Sequence, residues 1–260
     1  MRWLLAAVVV AVTSAALRAD PPVTIEAAVQ TLQRGANLVI AGEPICAAHP
    51  LPAFYTRRNF APAWSGADQV MLIDVIRHAA DDGLDPADYH LAGIESLLPD
   101  AARRGELDLL LTDAFFLLSS HLQSGRTDPI TIEPTWCLEP RTSDLVPALE
   151  TALEIHEVPG AIAAFRPSHE GYRQLRDQLA RYRGMTPWEP VAPGPSLRAG
   201  DSGPRVAQLI ARLVASGDLE PGHPTFDAAV KAAVKHFQHL HGLEDDGVGG
   251  QLTIRELNVP

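Results

Sequence analysis

Residues 233–250 read AVKHFQHLHGLEDDGVGG, with His236, His239 and His241 inside six positions and Glu244, Asp245 and Asp246 directly behind them. Imidazoles and carboxylates are the side chains that hold zinc or calcium, so the stretch invites a metal-site reading. Its spacing does not support one. A zinc site wants histidines at i and i+4, or a CxxC pair, and neither is present. Taking Gly247 as the turn glycine of a calcium loop puts Gly242 and Glu244 where Asp and Asp or Asn belong, and Thr253 where Glu belongs. The apolar positions Val230, Val234, Phe237 and Leu240 recur at helical spacing and define a buried stripe. His236 and His239 fall off that stripe, and His241 sits at its edge. The expectation is a solvated helix face with no metal and no cofactor, stopped by a left-handed Gly242, with Leu243 folding back and DGVGG turning the chain.

The elements around this helix make a small unit. GDSGPRVAQLIARLVASGDL predicts one helix before it, and GGQLTIRELNV a short one after it. Upstream, GMTPWEPVAPGPS (184–196) is rich in proline and reads as a stiff linker. The region before that is helical almost throughout. DPPVTIEAAVQTLQRG starts with an N-cap candidate and first-turn prolines and stops at Gly35. DQVMLIDVIRHAADDGL repeats apolar residues at Val70, Ile73, Ile76 and Ala80. In DPADYHLAGIESLL, Asp85 is the cap and Pro86 the first helical position. GELDLLLTDAFFLLSSHLQSG is the greasiest stretch, yet Asp108 and Asp113 interrupt it, so it reads as a buried helix ended by Gly125. In SHEGYRQLRDQLARYRG, Tyr172, Leu175, Leu179 and Tyr182 share a face. The fold class is all-α: a helical domain over 20–183, the linker over 184–196, and a three-helix domain over 197–260.

Residues 1–19, MRWLLAAVVVAVTSAALRA, have the charged start, apolar run and small-residue end of a secretory signal peptide. The implied location is the periplasm, with no membrane association after cleavage. Net charge is −11, and losing Arg2 and Arg18 deepens it, which excludes nucleic acid as a partner. Two cysteines, Cys46 and Cys137, are the disulfide candidates for an oxidising compartment; so long a loop would be worth roughly 4 to 5 kcal/mol on chain-entropy grounds.

LRAGDSGPRVAQLIARL, AVKHFQHLHGLEDDGVGGQLT and the closing LN together resemble the peptidoglycan-binding type 1 domain. The pattern falls on Gly200, Asp201, Gly203, Val206 and Leu209, then on Ala233, Val234, Phe237, Gln238, Gly242 and Leu243. It ends on Asp246, Gly247, Gly250, Thr253, Leu257 and Asn258. Upstream, LPAFYTRRNFAPAW, DDGLDPADYH, HLQSGRTDP, YRQLRDQLARYR and PWEPV are similar to the scaffold part of the large periplasmic L,D-transpeptidases, which crosslink the bacterial wall.

The resemblance implies peptidoglycan (murein) as the partner, with other cell-wall enzymes as further candidates. Asp201, Arg205, Gln238, Asp246, Thr253 and Asn258 are its candidate contacts, although caps and turn bonds explain several of them as well. Arg57, Arg58, Trp64, Tyr89 and Arg126 are candidates on the scaffold surface, where Arg beside an aromatic could hold a carboxylate or stack on a sugar. In that family a catalytic domain follows, with a nucleophilic Cys in an S-H-G-C-type motif. Neither PICA around Cys46 nor TWCL around Cys137 carries it, and no catalytic residue is assigned. Two readings follow: an exported wall-binding protein resembling the non-catalytic half of such an enzyme, or the amino-terminal part of a full L,D-transpeptidase.

Overall fold

A computed structural model describes residues 22–133, 135, 141–185 and 188–259; the signal-peptide stretch and Cys137 lie outside them. The chain divides between Arg176 and Asp177 into two compact units. Both are helical, with eleven α-helices and one two-stranded ladder among the described residues.

The first unit opens with α1 (Ile25–Gln33), capped by the Thr24 hydroxyl, which accepts from Ala27 N. The helix thus starts later than the Asp20 and proline signals suggested. Strands β1 (Val39–Ile40) and β2 (Glu43–Pro44) pair antiparallel across Ala41 and Gly42. Both turn residues have positive φ, the conformation a two-residue hairpin requires. Then come α2 (Pro50–Arg57) and α3 (Gly66–Arg77). In α3 the buried positions are Asp68, Leu72, Ile73 and Ile76, while Val70 is 68% exposed. The stripe therefore runs i, i+4, i+5, i+8 and leaves Val70 on the outer side.

Asp85 caps a tight 3-10 turn, Pro86–Tyr89, as expected, but the helix does not run on. His90 adopts φ 58° and separates that turn from α4 (Leu91–Leu97). Next comes α5 (Arg104–Ser124), closed by Gly125, then α6 (Leu145–Glu154), α7 (Val158–Ala163) and α8 (Glu170–Arg183). The expected apolar face of α8 is not covered. Leu175 and Tyr182 are exposed, and no residue of α8 is buried. Its first half is held instead by polar bonds: Asp82 accepts from the Tyr172 hydroxyl at 2.7 Å and pairs with Arg176 at 2.8 Å, and it also pairs with Arg166 ahead of the helix at 2.8 Å.

The axis of this unit is α5, buried continuously from Glu106 to Phe116. A helix buried on every side has no solvated face for its charges, and its carboxylates are used internally. Asp108 accepts from the Tyr55 hydroxyl (2.7 Å), Ala63 N (2.9 Å) and Trp64 N (3.1 Å). One turn on, the Thr112 hydroxyl accepts from Trp64 Nε1 at 2.9 Å. Asp113 accepts from Cys46 N (3.0 Å) and Ala47 N (2.6 Å) and bonds His90 Nε2 at 2.6 Å. Glu106 takes Val23 N at 2.7 Å and pairs with Arg103.

The second unit contains α9 (Pro204–Ser216), α10 (Ala228–Leu240) and α11 (Gln251–Leu257) around Val206, Leu209, Leu213, Phe226, Val230, Val234, Phe237 and Leu257. Gly242, at φ 65°, stops α10, and Leu243 N returns to Gln238 O at 2.9 Å, as the sequence indicated. Leu240 departs from its expected place: it is 64% exposed, while Gln238 is buried. The stretch expected as a linker departs too. Val191 is in the core, and Leu197 exchanges two backbone bonds with Gly249, so the proline-rich segment is a strap on this unit.

Replacing Asp108 with Ala strips the Ala63 and Trp64 amides of their acceptor in the interior, while the Tyr55 hydroxyl keeps Asp108 O and Thr112. The expected cost is about 3 kcal/mol, read from urea unfolding.

His90 supplies a pH test. Burial opposes its charged form, but the hydrogen bond and charge of Asp113, reinforced by Glu43, overcome this and raise its pKa from the ordinary 6.5. A raised folded pKa favours the native state below 6.5, and that stability is lost as pH rises through the folded value. Urea midpoints should fall across that rise, and His90→Gln should flatten the profile.

Candidate functional site

The second unit sorts the expected wall contacts into two groups. Asp201, Arg205 and Asn258 lie along the strap. Asn258 clamps it in both directions, accepting from Val191 N at 2.8 Å and donating to Val191 O at 3.0 Å. Arg205 Nε donates to Ala192 O and its Nη1 to Pro195 O, each at 2.8 Å. Proline-rich chain offers carbonyls with few N–H groups to match, so side chains that gather carbonyls fix it in place. Asp201 accepts from Arg198 N at 2.8 Å and so closes the turn before α9.

Gln238, Asp246 and Thr253 form the other group, at the turn between α10 and α11. The Gln238 amide donates to Asp246 Oδ1 (2.9 Å), Val248 O (3.0 Å) and Thr253 Oγ1 (3.1 Å), and its carbonyl accepts from Gly247 N at 2.8 Å. Gln238 and Thr253 are buried. Both were expected as contacts with an outside ligand; their hydrogen-bonding capacity is used within the turn instead. The Asp246 carboxyl is held below its usual pKa, first by the Val248 N–H and then by Gln238.

The scaffold candidates do not gather. Trp64 and Tyr89, expected on a surface, are core residues. Trp64 is drawn in by Thr112, and the Tyr89 hydroxyl bonds His121 Nδ1 at 3.0 Å. Arg57 pairs with Glu150 at 3.4 Å and Arg126 with Asp88 at 2.8 Å, both exposed. Arg58 lies over the Phe54 ring, 5.3 Å from its centroid. Cys46 is exposed, and its thiol pKa is raised by burial and then by the charge of Asp113, opposite to an activated nucleophile. Its expected pairing with Cys137 falls outside the described residues.

Open space in this unit lies along α9. A groove of ~1060 Å3 has Ala207, Ala211 and Val214 on one wall and Arg181, Met185, Trp188 and Glu189 on the other. A second cavity, ~530 Å3, lies between the strap and α11, with Arg205, Arg255 and Asn258 at its edge. Trp188 and Arg212 were not singled out as site residues. Trp188 stands in the quoted PWEPV, and the Arg212 guanidinium lies over its ring at 3.8 Å. An arginine three positions after Leu209, within an apolar helix stripe, was the available signal for the second.

These features define a helical chain whose carboxy-terminal unit offers an aromatic-edged groove. Residues 49–179, half of the chain, match the scaffold domain family, and the chain belongs to it. Residues 202–257, within the second unit, match the peptidoglycan binding domain family, which supports peptidoglycan as a partner. No curated protein matches the chain.

Asn258→Ala should release the strap. The Val191 amide is expected to lose hydrogen-exchange protection, at a stability cost of about 1 to 2 kcal/mol.

Proposed function

We propose that this protein is exported to the periplasm and grips peptidoglycan in the groove along α9, carrying its scaffold unit to the cell wall. The observation behind this reading is that the peptidoglycan-binding family match covers α9, the helix that forms one wall of the groove. Peptidoglycan is a polymer of amino sugars with peptide branches. Its sugar faces suit the Trp188 ring and the small side chains Ala207 and Ala211, while Arg181, Gln208 and Glu189 supply polar partners at the rim. With a net charge of −11, the protein holds an anionic wall through such local contacts and not through bulk attraction.

The order of scaffold unit and wall-binding unit supports a finer role, the non-catalytic half of an L,D-transpeptidase. In that role the protein holds wall substrate for a Cys nucleophile that neither Cys46 nor Cys137 supplies, alone or beside other cell-wall enzymes.

The test is cosedimentation of the chain, without residues 1–19, with isolated sacculi at physiological salt. The wild type should pellet. Ala211→Arg fills the groove from an exposed position; it should bind at least tenfold more weakly, about 1.4 kcal/mol, with unchanged thermal unfolding. A wild type left in the supernatant would refute wall binding, and an Ala211→Arg variant that pellets normally would refute the groove.

A further inference from the structure

The histidine-bearing end of α10 faces an adjoining cleft of ~400 Å3, walled by the carboxy-terminal ends of α8, α9 and α10, by α11 and by Trp188. Its charged groups are matched with one exception. His241 lies 3.5 Å from Glu256 and His236 4.0 Å from Asp218, whose other oxygen accepts from the Ser216 hydroxyl at 2.5 Å. Arg181 Nη2 donates to Ser216 O at 2.9 Å.

Arg212 is the exception. It is only 7% exposed, its Nε donates to Leu257 O at 2.7 Å, and its guanidinium lies on the Trp188 ring. Its Nη1 is buried with no partner among the described residues. A buried donor on a cation without an acceptor is costly and rare in native proteins, and the residue that carries it lines an open cleft. The missing group is therefore an oxygen acceptor, and a carboxylate matches both the charge and the geometry of a guanidinium.

Apolar side chains alternate with these polar groups around the cleft. Tyr182, Leu240 and Val259 are large apolar side chains left exposed at its mouth, and Phe237 stacks on His241 with centroids 4.0 Å apart. A bare inorganic anion would leave these surfaces wet, whereas a carboxylate attached to small apolar groups covers them. We infer that the cleft binds the free C-terminal carboxylate of a short peptide, with Arg212 Nη1 as its donor. Peptide branches of peptidoglycan and free peptides both carry such ends. The cleft shares Arg181, Trp188 and Gly217 with the α9 groove, but Arg212 does not line that groove, so the two readings can be told apart at Arg212.

The test titrates N-acetyl-dialanine, in L and D forms, into the full chain while the Trp188 indole N–H is followed by NMR. The acid should shift this resonance saturably in at least one form, and the C-terminal amide should bind at least tenfold more weakly. Arg212→Gln should abolish binding. Arg212 also holds Leu257 O, so Leu240→Glu provides a variant at an exposed position; the added carboxylate should weaken binding tenfold with the fold intact. Equal affinity for acid and amide, or undiminished binding by Leu240→Glu, overturns the inference. The preference for acid over amide should persist in Ala211→Arg, which keeps the result separate from the fate of the groove. If peptide branches are the source, sacculi stripped of them should lose the tenfold difference in binding between the wild type and Leu240→Glu that intact sacculi show; if free peptides are, neither preparation should show that difference.

Discussion

Carboxylates in an apolar interior are tolerable only if hydrogen-bond donors come to them, and Asp108 and Asp113 on α5 impose that condition on the first unit. Most of the donors they receive are backbone N–H groups of irregular segments: Ala63 and Trp64 before α3, Cys46 and Ala47 before α2. Such segments have no helix ladder to satisfy their amides. Each carboxylate therefore serves two needs, its own and that of the loop it receives, and the position of the loop follows from the register of the helix. Trp64 is buried because its backbone is tied to Asp108 and its indole to Thr112 one turn further on.

The second unit uses the same arrangement with neutral groups. Gln238 presents an amide to the α10–α11 turn, and Asn258 presents one to the strap. In both cases a side chain able to donate and accept meets a backbone segment that offers both. The strap is consequently part of the fold, and it brings Trp188 to the edge of the α9 groove and onto Arg212. Family-pattern residues such as Gln238 and Asn258 act on the architecture, while the groove itself is walled by side chains the pattern leaves open, Ala207, Ala211 and Trp188.

Much of the fold was legible in the sequence. Helical periodicity, proline at first turns and glycine after last turns located most helices, and the greasy run interrupted by Asp108 and Asp113 was recognisably a buried helix. Periodicity was less informative about which apolar residues meet a partner. Val70, Leu175, Tyr182 and Leu240 all fit a helical stripe yet are exposed, because a stripe shows where a helix can pack and not what packs against it. The β1–β2 hairpin left little trace, since Ala41 is not a usual positive-φ residue and each strand has only two residues. The site was less legible again. Residue type nominated Gln238, Thr253, Trp64 and Tyr89, and none of these types reveals whether its hydrogen bonds are made inside the protein or to a ligand.

By itself, the sequence determined that the chain is helical, that Gly242 and Leu243 end α10, and that its motifs resemble the scaffold and peptidoglycan-binding families. These properties depend on neighbours within a few turns of the same segment, where backbone geometry and spacing suffice. Tertiary structure alone decided that the proline-rich segment is a strap, that the polar motif residues bond inward, and that Arg212 keeps one buried nitrogen without a partner among the described residues. Most of those outcomes depend on groups 8 to 67 positions apart in the chain, and only the folded protein brings such groups within hydrogen-bonding range.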